Sequence, residues 1–185
     1  MAKFNIMSAK DGIRLLEKNM DKLLDRDIRT LQFFTERSLK FKKTFIEMDE
    51  YDFGIRNLLN FAHTFGHAFE KVSHYAIPHG QAITLGLMTA NNISVSRHIL
   101  NGKKADQIKK LAVRFLSVKL KKMWFEAEQI IDAVKKDKKR STGYLPAVLF
   151  SSNNSLKVFQ DVKPEEVENA LADLIVFLEE HDKLH

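Results

Sequence analysis

Apolar residues recur at helical spacing through most of the chain, and the sequence divides where that recurrence stops. Ile13, Leu15, Leu16, Met20, Leu23, Leu24, Ile28, Leu31, Phe33 and Phe34 return every three to four positions, the period of an amphipathic helix. Residues 11–36 carry this pattern with a break near Asp25–Asp27, and a further helix is expected from Thr30 to about Phe45. Asp49-Glu-Tyr-Asp52-Phe-Gly54 reads as an acidic loop closed by glycine. A helix is predicted from about Arg56 to Ser73, and Pro78-His79-Gly80 starts another, whose residues 81–90 are almost uncharged and therefore central to the core. Amphipathic helices are expected near 104–116 and 125–136. At Gly143 the pattern changes. Tyr144-Leu-Pro-Ala-Val-Leu-Phe150 is too short for a helix, Ser151–Ser155 is a turn, and Leu156-Lys-Val-Phe-Gln160 alternates as a return strand. Pro164-Glu-Glu-Val opens a last helix, with proline at a favoured first-turn position and acids at the positive end of the dipole. The expected fold is mainly α, a single helical domain over 1–185 with one small β-hairpin near 144–160.

One segment departs from ordinary amphipathicity. Between Arg56 and Glu70 the polar residues Arg56, Asn60, His63, His67 and Glu70 are spaced 4, 3, 4 and 3 apart. On a continuous helix they share one face, while Leu58, Leu59, Phe61, Ala62, Phe65, Ala68 and Phe69 cover the rest. A helix apolar nearly all round is buried, and buried polar groups are costly unless paired, bonded or coordinating. The stripe therefore reads as a site rather than a solvated face. Glu70 is left between capping the stripe and pairing locally.

Composition adds bounds. In 185 residues there are no cysteines, so neither a disulfide nor a thiolate metal site is available. No run of about 18 apolar residues is present, and Met1-Ala-Lys3-Phe4 lacks a signal-peptide pattern, so a cytoplasmic location without membrane contact is expected. The net charge of +6 comes from short Lys and Arg clusters, which read mainly as solvated helix faces. A nucleic-acid partner is not expected, because no fold signature or interleaved aromatics accompany the clusters. A phosphorylated small substrate is a further use for some of these lysines.

The stripe also supplies candidate chemistry. His63 and His67, four residues apart, can place two imidazoles on one metal, and His79 can return to them from the start of the next helix. Imidazole nitrogen suits a zinc-like divalent cation, and His63, His67 and His79 form the ligand set that spacing alone offers.

These residues carry a family resemblance. Asp49-Glu50-Tyr-Asp52-Phe-Gly54-Ile-Arg56-Asn-Leu-Leu-Asn60-Phe-Ala-His63-Thr-Phe-Gly-His67-Ala-Phe-Glu70, followed by His79-Gly80-Gln81-Ala82, resembles the signature of 3-dehydroquinate synthase and the wider sugar-phosphate cyclases. The resemblance is strongest from Lys42 to Ala90, and Asp137-Lys138-Lys139 before the strand resembles a further family element. It implies the C-terminal helical half of an enzyme whose N-terminal Rossmann-like half binds NAD; that half is expected to be absent here. It implies a divalent metal, zinc or cobalt, held by His63 and His79. His67 stands on the substrate side, at odds with the set that spacing offers. Lys42, Arg56, Asn60, Lys138 or Lys139, and Lys3 are implied to hold a phosphorylated sugar-acid substrate. The implied reaction is cyclisation of a seven-carbon heptulosonate phosphate with transient NAD oxidation and phosphate elimination, in the shikimate pathway. A homodimer is implied as well.

Three departures are visible. Gln81 stands where the family has an acid, Ala62 where it has glycine, and Asp52 where it has glutamate. The family's third metal ligand, a glutamate in an Ala-Glu-x-x-Lys element whose lysine aligns with Lys3, falls just before Met1. The chain alone is therefore expected to be inactive. Alternatives are a cyclase of secondary metabolism, a degenerate binding or scaffold module, and a stand-alone metal-binding protein with His67 as substitute ligand.

Overall fold

The computed structural model describes residues 2–8, 10–51, 53–137, 143–153 and 155–185. Lys138, Lys139 and Asp52 lie outside them. The chain resolves into two compact units, residues 1–60 and 61–185.

The first unit holds three helices: α1 (Ala2–Met7), α2 (Lys10–Leu24) and α3 (Ile28–Met48), then a 3-10 turn, Ile55–Asn60. Ile6, Ile13, Leu16, Met20, Leu23 and Phe34 form its core. Asp27 caps α3 by accepting from the Thr30 amide at 2.8 Å. Arg37 of α3 donates from Nε to Asn5 Oδ1 of α1 at 2.9 Å. The Asp49 carboxylate accepts from the backbone amides of Phe53, Gly54 and Arg56 and so fixes the acidic loop. These donors hold its carboxyl below the ordinary range, the Arg56 amide most strongly.

The second unit contains α4 (His63–Val72), α5 (His79–Ser96), α6 (Gly102–Val113), a 3-10 turn at Lys122–Phe125, α7 (Ala127–Asp137), the hairpin β1 (Leu145–Phe150) and β2 (Leu156–Val162), and α8 (Pro164–Glu179). Its centre is α5, against which α4, α6, α8 and β1 all pack. Twelve of its residues, from Ala82 to Ser94, are buried, as the uncharged sequence there predicts. The strands pair antiparallel, with Val148 opposite Val158 and an irregularity between Leu145 and Ala147. β1 is buried along its whole length, which explains why it reads as a continuous apolar run rather than an alternation. Arg97, at the end of α5, grips Glu166 through Nε (2.6 Å) and Nη2 (2.7 Å) and Asp161 through Nη1 (2.9 Å), joining α5 to the hairpin and to the start of α8.

One expected element is corrected. The helix predicted from Arg56 to Ser73 is two pieces. A 3-10 turn ends at Asn60, and α4 begins at His63 after Ala62, whose φ of 70° is left-handed. Phe61 is wholly buried and meets Phe150 edge-on at 5.2 Å, which turns the chain into the second unit's core. Arg56 and Asn60 therefore do not share a helix with the histidines, and Asn60 is exposed. Among the described residues no helix is long and apolar enough to cross a membrane.

Candidate metal centre

Local sequence brings His79 back to α4. After Val72 the backbone winds through two left-handed residues, His74 (φ 51°) and Tyr75 (φ 61°). The Tyr75 amide and the Ser73 hydroxyl both donate to Glu70 O, at 2.7 and 3.1 Å. Buried Ile77 then anchors the return, and Pro78 precedes α5. The α4 and α5 backbones run unusually close. A Cβ on Gly86 would stand 2.2 Å from Ala62 O and 2.5 Å from Gly66 N, and one on Gly66 would stand 2.6 Å from Ile83 Cδ1. Glycine at both positions permits the approach.

The result is a cluster of three imidazoles. Ring centroids are 5.3 Å apart for His63 and His67, 5.7 Å for His63 and His79, and 6.0 Å for His67 and His79. Glu70 adds a carboxylate, and donor atoms of His67, Glu70 and His79 lie within 4.8 Å of one another. Ligands about 2.1 Å from a tetrahedral zinc stand about 3.4 Å apart; the donors gathered within 4.8 Å are those of His67, Glu70 and His79, and His63 is not among them. The set is nitrogen and oxygen only, as zinc accepts.

Two rings have their tautomers fixed. The His79 Nδ1 lies 3.0 Å from Glu70 Oε1, and the His63 Nδ1 lies 3.2 Å from the Phe61 carbonyl oxygen. Both partners can only accept, so each Nδ1 carries the proton and each Nε2 keeps its lone pair in the neutral ring. Histidines that bind metals characteristically donate their other N–H to a carboxylate or carbonyl.

Gln81 lies outside this cluster. Its Oε1 accepts from the amides of Ser117 and Val118, both at 2.9 Å, and its Nε2 donates to Ser117 Oγ at 2.9 Å. It fastens the first turn of α5 to the loop after α6. Either an amide oxygen or a carboxylate oxygen can accept the two backbone bonds.

Lys3, Lys42, Arg56 and Asn60 belong to the first unit. Lys3 is buried, 7% exposed, contrary to the ordinary fate of a lysine. Its Nζ donates to Leu59 O at 2.6 Å and lies 4.5 Å from the centre of the Phe4 ring. Burial, reinforced by the charge of Lys42, pulls its amine down from 10.5 to about 7. Lys42 itself is exposed, and Arg56 donates from Nη1 to Glu50 O at 2.8 Å. No local pattern predicts the perturbation of Lys3, because the carbonyl that accepts from it belongs to Leu59 and the charge that reinforces it to Lys42.

Fold and imidazole cluster together define a mainly helical domain with a candidate divalent-metal site. The chain's fold matches ValA, a 2-epi-5-epi-valiolone synthase from Streptomyces hygroscopicus subsp. jinggangensis solved with NAD+ and Zn2+ bound, at a TM-score of 0.76 and 17% identity; the match covers 95% of this chain and 50% of that one. Residues 1–140 match the family model of the 3-dehydroquinate synthase C-terminal domain, and the chain belongs to that family. Relatives include the 3-dehydroquinate synthases of Desulforamulus reducens, 33% identical over 154 residues (82% of this chain, 43% of the relative), and of Dehalococcoides mccartyi, 32% identical over 175 residues (94% and 46%). The chain thus spans less than half the length of the relatives it matches.

Proposed function

We propose that this chain is the metal- and substrate-binding half of a 3-dehydroquinate synthase, acting in the shikimate pathway on a seven-carbon heptulosonate phosphate. The observation that supports it most is the imidazole cluster, with His63 and His79 each tied through Nδ1 to an oxygen acceptor. In this reading His63 and His79 hold a divalent cation, zinc or cobalt, which when bound supplies Lewis acidity toward the substrate oxygens. His67, without a role as ligand, receives or returns a proton at the substrate. Arg56 offers a planar fork suited to the substrate carboxylate, and Asn60 hydrogen-bonds hydroxyls. Lys42 attracts the phosphate. The Lys3 amine, near its midpoint at neutral pH, exchanges a proton without a large change in free energy. Lys138 or Lys139 contributes a further cation for the substrate. NAD binds to a separate half of the enzyme, and the full protein works as a dimer in the cytoplasm.

Relatives at 32–33% identity named 3-dehydroquinate synthase favour this substrate over that of ValA, whose likeness at 17% identity concerns the fold. The test is phosphate release from the heptulosonate phosphate, with NAD and zinc, by the purified chain alone and together with the NAD-binding half of a relative. Release only in the mixture supports the reading. Robust release by the chain alone contradicts the division of labour, and a mixture that turns over only the ValA substrate contradicts the assignment of substrate.

A further inference from the structure

We infer that Glu70 is the positioning residue of the metal centre, holding His79 in the orientation and tautomer in which Nε2 binds the cation. The inference rests on the proposed metal-binding reading and adds to it a residue that acts through His79.

His79 needs such support. Its side chain is 58% exposed, at the first turn of α5, behind a proline and ahead of a glycine. An imidazole there has two neutral tautomers and free rotation about two side-chain bonds, and only some of these states offer a nitrogen to a cation. Glu70 is the opposite case. Its side chain is only 13% exposed, and it sits on α4, one turn beyond His67. Its backbone carbonyl is held by Ser73 and Tyr75 in the very turn that leads to His79. A largely buried carboxylate thus faces an exposed ring at 3.0 Å. The carboxylate oxygen serves as acceptor, so the ring turns Nδ1–H toward it and leaves Nε2 as the metal-binding atom.

The closeness of Glu70 to His67 and His79 also fits a direct ligand. The hydrogen bond favours the positioning role. The oxygen that accepts from Nδ1–H accounts for the short distance, and the same pairing at a metal-binding His63 is made by a carbonyl with no ligand role.

The test is zinc affinity of the 185-residue chain, by competition with a chromophoric chelator, for the parent, Glu70→Ala, Glu70→Gln and His79→Ala. The melting temperature of each metal-free protein is measured alongside. Glu70→Ala is expected to bind zinc about 10- to 100-fold more weakly, the usual effect of losing an outer-shell partner. Glu70→Gln, whose amide oxygen still accepts from Nδ1–H, should stay within about threefold of the parent. Metal-free melting temperatures should be alike. Glu70→Gln as weak as Glu70→Ala makes the carboxylate a direct ligand and overturns the inference. So does a metal-free Glu70→Ala protein that melts lower in step with its lost affinity, which marks a general structural role. If His79→Ala loses zinc and Glu70→Ala does not, the metal reading stands and the inference falls. If the chain binds no zinc, or His79→Ala binds it as tightly as the parent, the metal reading falls and the inference with it.

Discussion

Lys3 is a residue whose chemistry is set by surroundings. Its ammonium is desolvated and faces Lys42, so the folded protein releases the proton near pH 7 while the unfolded chain keeps it to 10.5. Below about pH 7 both states are protonated, and burial of the charge is a full cost. Between 7 and 10.5 only the unfolded state holds the proton, so this group makes stability rise with pH across that window. Followed by 13C NMR, the Lys3 Cε signal should titrate near 7, and Lys42→Ala should move that midpoint upward; a Lys3 midpoint beside the other lysines would contradict the burial. Ala62 makes a second prediction. At φ 70° a β-carbon is disfavoured by about 1 kcal/mol, which glycine avoids. Ala62→Gly should therefore raise the melting temperature by about 2–4 °C. A fall would show that Ala62 sits there without strain.

The elements owe their placement to a few contacts. Gly86 lets α5 meet the start of α4, and a methyl group there has only backbone to displace. Gly86→Ala should cost more than about 3 kcal/mol, read from urea unfolding, and should disturb the histidine cluster along with the packing. Arg97 joins α5, β2 and α8. Arg97→Ala should cost about 2 kcal/mol at pH 7, since the charge-assisted bonds to half-buried Glu166 are lost, with a smaller part from exposed Asp161. Arg97 holds the Glu166 and Asp161 carboxyls below their ordinary range. Their contribution is therefore complete above the unfolded carboxylate values and lost as pH falls through the lower folded ones. The acid limb of stability should be flatter in Arg97→Ala, and an unchanged limb would deny that role. Helix periodicity, the Pro164 start and the apolar run of β1 made most of these elements legible in the sequence. The break at Ala62 was not, because the 4, 3, 4, 3 spacing of polar residues continues unaltered across it. What interrupts the helix is the burial of Phe61 against Phe150, a contact 89 residues away in sequence that no local pattern encodes. The α1 helix is not legible in local sequence for a similar reason: its Lys3 and Asn5 are buried polar residues, and their hydrogen bonds reach Leu59 and Arg37.

At the scale of the molecule, the second unit presents the imidazoles and the first carries Lys3, Lys42 and Arg56. Histidine identity and spacing were readable from the sequence; the choice of ligands among them was not. Spacing offered His63, His67 and His79, the family resemblance assigned His63 and His79 to the metal, and the fold adds Glu70 beside His67 and His79. Zinc content and affinity of the purified chain, beside His63→Ala, His67→Ala and His79→Ala, test the central claim most directly. The account predicts stoichiometric zinc in the parent, lost in His63→Ala and His79→Ala and retained in His67→Ala. Absence of specific zinc in the parent, or a loss in His67→Ala equal to that in His63→Ala, would contradict it.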